Sequence, residues 1–195
     1  LSTVATINFF NFMDGSDGLA SFQSVIFFTF NGFYALYAGD HLLFAICFIL
    51  SGALLGFLTF NWPPAKLFMG DAGSYFIASQ MVMLFFLIFV RGLDPAPGII
   101  LMSPFIVDSV LTLMKRFFIG ETWWKPHRTH VYQIICKKDG SLSLLKYYVL
   151  LHFFFLIPLA FVALLFPHSS VFCLILSLSA LSYIWYHYQK GKHIY

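Results

Sequence analysis

The sequence predicts an all-α, polytopic transmembrane bundle of about six full spans plus part of another. Three observations carry that expectation. Of 195 residues, 60% are apolar and 10% are charged, whereas soluble domains average about 25% charged and 45–50% apolar. Eleven basic and 8 acidic residues are too few to coat a soluble domain of this size, which needs roughly a quarter of its surface charged. Apolar runs long enough to cross a hydrocarbon core of about 30 Å, which takes about 20 residues, recur along the chain.

The elements follow in order. Leu1–Phe12 reads as the last part of a span. No basic segment with a cleavage site precedes it, so it is not a signal peptide, and we expect residues 1–195 to be one N-terminally truncated integral-membrane domain. Leu19–Tyr37 and Leu42–Phe60 are full spans separated by the short Ala38–His41 loop. Pro63 and Pro64 force a non-helical loop over Asn61–Ser74, and Tyr75–Val90 is the next span. After Arg91–Pro97 comes Gly98–Arg116, then a long polar loop, Phe117–Lys146. Tyr147–Phe166 and Ser170–His187 complete the set, joined by a turn at Pro167–Ser169.

Alternation of the spans sorts the loops by side. One side holds Lys66, Lys115, Arg116, Lys125, Arg128, Lys137, Lys138, Lys146, Lys190 and Lys192; the other holds only Arg91. By the positive-inside rule the basic side is cytoplasmic. The side was assigned from Lys and Arg alone, yet Asn8, Asn11, Asp14, Asp17, Asn61, Asp71, Glu121, His127, His130 and Asp139 fall on it too. A scaffold does not need that concentration. The net charge of +3 is too small to argue for a nucleic-acid partner. Cys47, Cys136 and Cys173 show no metal-binding spacing and no disulfide framework.

Three segments could carry chemistry. In Asn8-Phe-Phe-Asn11-Phe-Met-Asp14-Gly-Ser-Asp17-Gly, Asn8, Asn11 and Asp14 recur at a spacing of three and share a helix face. Such a stripe on a membrane helix is costly unless it meets a wet cavity or a ligand, although Asp17 alone could serve as a helix cap. In Asn61-Trp-Pro-Pro-Ala-Lys-Leu-Phe68-Met-Gly-Asp71-Ala-Gly-Ser74, a carboxylate on glycine-rich backbone suits a magnesium-bound diphosphate, or else an ordinary turn. In His127-Arg128-Thr-His130, imidazole and guanidinium can clamp phosphate, or the basic loop can bind lipid headgroups. Asp108, inside a span, is either a functional carboxylate or the partner of a buried donor.

Together these segments resemble the polyprenyl-phosphate N-acetylhexosamine-1-phosphate transferases, glycosyltransferase family 4. The resemblance rests on Asn8–Ala20, Pro64–Ser74 and Pro126–Gln133, and the His-Arg-Thr-His form resembles the branch that initiates O-antigen and related surface polysaccharides. It implies a Mg²⁺-dependent transfer of sugar phosphate from a UDP-N-acetylhexosamine to a polyprenyl (undecaprenyl) phosphate, with release of UMP, at the cytoplasmic face of a bacterial inner membrane. It implies Asn11 and Asp71 at the metal, and Phe68, Asn61, Gly15 and Ser16 at the uracil and nucleotide. Asp14, Asp17, Asp71, His127, Arg128 and His130 then line the catalytic site. A homodimer stays open. The family's paired Asp-Asp motif is not matched here, and we expect it upstream of Leu1, so the fragment alone should be inactive. The competing expectations are a transporter, whose polar groups should sit at mid-membrane, a non-catalytic membrane scaffold, and, within the family, a peptidoglycan lipid-intermediate transferase.

Overall fold

A computed structural model describes residues 2–121 and 128–191. Among them the chain is helical: α1 (Ser2–Met13), α2 (Leu19–Tyr37), α3 (His41–Asn61), α4 (Gly70–Val90), α5 (Ala96–Ile119), α6 (Val131–Asp139), α7 (Ser141–Leu151), α8 (Ile157–Leu165) and α9 (Ser170–Gly191). Six helical stretches are long and apolar enough to cross a membrane, with α7 and α8 forming one of them, and α1 supplies a shorter apolar helix. The expected six spans and part of another are present.

Several boundaries differ from expectation: α5 runs Ala96–Ile119 rather than Gly98–Arg116, α7 begins at Ser141 rather than Tyr147, and α9 ends at Gly191 rather than His187. The fourth helix begins at Gly70, not Tyr75, so Asp71 lies in its first turn rather than in a loop. Part of the long polar loop forms α6, which was not expected because it is short and not apolar.

α2 and α5 are mostly buried, whereas α3, α4, α8 and α9 keep most of their surface outward. Outward residues such as Ile49, Phe86, Phe154 and Phe172 are apolar, as a hydrocarbon solvent demands. α2 lies close against α3. A Cβ on Gly32 would come within 2.8 Å of the Phe48 ring, and Thr29 and Ser51 share a hydrogen bond of 2.6 Å across the same seam, the small-residue packing of membrane helices.

Prolines interrupt the hydrogen-bond ladder of two of the spans. Pro104 has no N–H for the Ile100 carbonyl, and Ser103 Oγ donates to that oxygen instead, at 2.5 Å. The Gln23 amide donates to the neighbouring Leu101 carbonyl at 2.9 Å. Pro158 follows a π-helical turn over His152–Leu156, where the ladder widens ahead of the missing N–H.

The two ends of the bundle differ in chemistry. At one, Arg91 pairs with Asp40 at 2.7 Å, and the Asp94 backbone N–H donates to Tyr34 Oη at 2.9 Å. These contacts tie the α2–α3 and α4–α5 loops together. At the other end lie the motifs.

Gly18 sits at the junction of that second end, with φ +74°, and a Cβ there would meet Leu145 Cδ2 at 3.1 Å and Pro63 Cδ at 3.3 Å. A side chain in the left-handed region costs roughly 1–2 kcal/mol before any clash. Gly18→Ala should therefore lower the thermal midpoint in detergent. Gly52→Ala, on an open face of α3, should hold or raise it, since Ala favours a helix over Gly by about 1 kcal/mol.

Candidate functional site

The turn between α1 and α2 is held from two directions. The buried Asn61 amide closes α3 onto the start of α2: its Oδ1 accepts from the Gly18 N–H at 3.1 Å and from Ser21 Oγ at 2.6 Å. Its Nδ2 donates to the Leu67 carbonyl at 2.9 Å. Asp17 does not cap α2; its carboxylate accepts from the Ala65 backbone N–H at 3.1 Å. Across the turn, Asn11 Oδ1 accepts from Ser74 Oγ at 3.1 Å, and its Nδ2 donates to Tyr75 Oη at 3.1 Å. Asn11 belongs to α1, and Ser74 and Tyr75 to the first turns of α4.

These bonds leave a cavity of about 330 Å³ between the two segments. Asn11, Asp14, Gly15, Ser16 and Asp17 line one wall; Asn61, Phe68, Met69, Gly70 and Asp71 line the other. Phe68 is 71% exposed, so its ring face is free to stack on a planar ligand. Asp71 is exposed and Asp14 half-buried.

Burial, and then the neighbouring Asp71 charge, push the Asp14 carboxyl up from its ordinary 3.8 to about 7. An acid pair in this position is short of positive charge. The oxygens of Asp14, Asp71 and Asn11 are hard donors that fit a divalent cation still needing ligands from a bound phosphate. Among the described residues, no group of three His, Cys, Asp or Glu side chains forms a closed metal cage.

The described residues of the third segment, from Arg128 on, are not among those that line this cavity. His127 is outside the described residues. Arg128 is exposed. His130 is 2% exposed, with Nδ1 3.5 Å from Asp108 Oδ1 and its ring stacked on Phe12 at 6.1 Å. The cause is Asp108, whose two oxygens accept the first backbone N–H groups of α6, from Val131 at 2.9 Å and Tyr132 at 3.1 Å. It draws the start of α6 inward and His130 with it. Asp108 is thus the partner of buried donors. A smaller, mostly apolar cavity of about 210 Å³ flanks Asp108 and Tyr132 among α5, α6, α7 and α9; it lacks the oxygen donors of the first.

Residues 1–90 match the family model described as glycosyl transferase family 4. Over those residues the chain is similar to that family. The matched residues contain both segments that line the cavity. Over 118 residues the chain is 36% identical to a phospho-N-acetylmuramoyl-pentapeptide-transferase of Listeria monocytogenes, a stretch that covers 60% of this chain and 35% of that protein. A protein of the same description from Clostridium botulinum is 43% identical over 121 residues, 58% of this chain and 37% of its own length. A probable undecaprenyl-phosphate N-acetylglucosaminyl 1-phosphate transferase of Bacillus subtilis is 32% identical over 133 residues, 66% of this chain and 37% of that protein. The matches thus span little more than a third of these family members.

Tyr132 and Asp108 are the residues whose placement the sequence did not disclose. Tyr132 stands in the third segment, but nothing local indicates that its hydroxyl reaches the Phe12 carbonyl, 120 residues away, at 2.8 Å.

The raised Asp14 carboxyl has a signed consequence. Its neutral form is favoured by folding, so the stability it contributes is complete below pH 3.8 and is lost as pH rises through about 7. Thermal midpoints measured in EDTA should fall across that window, and Asp14→Asn should remove that part of the slope. Asp71→Asn should shift the window down only in part, since burial is the larger cause.

Proposed function

We propose that the protein containing this chain transfers N-acetylhexosamine-1-phosphate from a UDP-sugar to a polyprenyl phosphate, releasing UMP, at the cytoplasmic face of a bacterial inner membrane. One observation carries this reading: the two family segments form opposite walls of a single cavity at one end of a membrane bundle, with carboxylates and an exposed ring facing it. The relatives support it from both branches: a phospho-N-acetylmuramoyl-pentapeptide-transferase in Listeria, and a probable undecaprenyl-phosphate N-acetylglucosaminyl 1-phosphate transferase in Bacillus. Between them, the His-Arg-Thr-His segment favours a surface-polysaccharide-initiating role of the O-antigen type.

In this reading a phosphate oxygen of the lipid attacks the β-phosphorus of the UDP-sugar. The new P–O bond forms as the P–O bond to the α-phosphate breaks, and the electron pair leaves on UMP. The nucleophile is already an anion, so the protein's task is placement and charge compensation. Phe68 takes the uracil face, with the Gly15–Ser16 backbone and the Asn61 wall beside it. Asn11 and Asp71 would hold Mg²⁺, which when bound supplies charge to the diphosphate. Asp14 and Asp17 border the nucleotide–sugar, and Arg128, with His127, meets phosphate charge from the loop. With His130 buried against Asp108, its part is to hold that loop.

The deciding experiment uses the full-length protein with a UDP-N-acetylhexosamine and a polyprenyl phosphate. Asp71→Asn keeps size and removes the charge; transfer should fall by at least about a hundredfold, the scale of one lost electrostatic contact in a transition state. Turnover at the wild-type level with saturating Mg²⁺ would make Asp71 a helix-turn residue and leave the scaffold reading in its place.

A further inference from the structure

The Phe12–Ser16 turn carries Asp14 into the cavity, with local bonds from Asp14 N–H to the Asn11 carbonyl at 3.1 Å and from Leu19 N–H to the Ser16 carbonyl at 3.3 Å. Long-range support comes from α6. The Tyr132 ring is buried, and its hydroxyl donates to the Phe12 carbonyl at 2.8 Å and accepts from the Gln133 amide at 3.2 Å. The same oxygen lies against Gly15, so close that a Cβ on that glycine would collide with it, while the next ring atom would be 3.3 Å away. One turn further along α6, Cys136 Sγ is 3.5 Å from Ser16 Oγ. Tyr132 is itself fixed by Asp108, which accepts its backbone N–H at 3.1 Å and the Thr112 hydroxyl at 3.1 Å. Trp185 Nε1 in turn donates to Thr112 at 3.0 Å. A polar relay therefore runs from α9 through α5 and α6 to the back of the cavity wall.

We propose that Tyr132 is a positioning residue: its phenol sets the Phe12–Ser16 turn, and through it the Asp14 wall of the cavity, while touching no substrate itself. This rests on the transferase reading above for what the wall binds, but the placement of the turn does not. The hydroxyl supplies the only contact that Phe would lack, because the ring, buried among Phe12, His130 and the start of α6, stays as it is. The glycine at position 15 has a stated cause as well: no other residue leaves room for the phenol oxygen.

The test uses the full-length protein in detergent with Tyr132→Phe, Gly15→Ala and the double variant. Two measurements are made, hydrogen–deuterium exchange and steady-state kinetics with a UDP-N-acetylhexosamine and a polyprenyl phosphate. Tyr132→Phe should raise exchange in peptides covering 10–18 and leave those covering 61–75 unchanged, with a thermal midpoint within a few degrees of wild type. It should raise the half-saturating UDP-sugar concentration about tenfold, the size of one lost hydrogen bond, with the KM for the lipid phosphate unchanged. Gly15→Ala should be more damaging, and adding Tyr132→Phe should restore part of the loss, since removing the oxygen removes the collision.

Unchanged exchange over 10–18 in Tyr132→Phe overturns the proposal. So does a local rise in exchange with no change in the UDP-sugar requirement, or a Gly15→Ala defect that the second substitution deepens. If the wild type transfers nothing while exchange still rises only over 10–18, the transferase reading fails and the placement of the turn by Tyr132 stands.

Discussion

The side-chain amide of Asn61 is the contact on which the rest of this arrangement depends. It is buried, and each of its two polar atoms is committed to a protein partner: the oxygen to Gly18 N–H and Ser21 Oγ, the nitrogen to the Leu67 carbonyl. Those groups come from the start of α2 and from the loop after α3. No backbone pairing of one helix with another could join them. Near a bilayer, an amide left with an open valence costs more than in water, so the bonding requirement and the geometry enforce each other. With Asn61 in place, Asp17 reaches Ala65, Asn11 reaches Ser74, and the cavity has two walls at a fixed separation.

What the sequence disclosed and what it withheld follow one physical division. Spans such as Leu19–Tyr37 were legible because the hydrocarbon solvent reads composition over about 20 residues, and loop Pro, Gly and charge mark the ends. The first turn of α4 was obscured: Gly70, Asp71, Gly73 and Ser74 look like a loop by composition, and their helical state depends on partners in α1. α6 was missed for a related reason. The two N–H groups at its start are accepted by Asp108, 23 and 24 residues earlier in the chain, and the one local signal, Gln133 accepting from the His130 N–H at 3.3 Å, stands beside a histidine rather than a usual cap residue. For the site, the grouping of Asn11, Asp14 and Asp17 was visible in their spacing, and their meeting with Asp71 required only that both segments share a side. The inward turn of His130 was not visible, since it depends on a carboxylate on another helix.

Charge is distributed by the same logic. Ion pairing at the motif-free end is narrow: Arg91, the one basic residue there by the alternation of spans, is matched by Asp40. At the other end Asp14 and Asp71 share one cavity, where burial first and then the Asp71 charge raise the Asp14 carboxyl. A membrane bundle tolerates an electrostatic deficit of that kind where water or a ligand can reach it. Asp108, deeper in the bundle, is instead matched by backbone donors from α6.

The gap in the ladder at Pro104 is bridged by side chains and does not act as a hinge. Moving α5 here would take the buried Leu101 carbonyl away from the Gln23 amide on α2 and leave it without that donor, at about 1–3 kcal/mol. The helix therefore acts as a strut, with Asp108 mounted one turn beyond Pro104. Work done on the cavity by an arriving ligand cannot be absorbed by flexing this strut. It has to be taken up by the short connections at the mouth, which makes the Leu67–Gly70 approach to α4, with its exposed Phe68, the compliant part of an otherwise stiff frame.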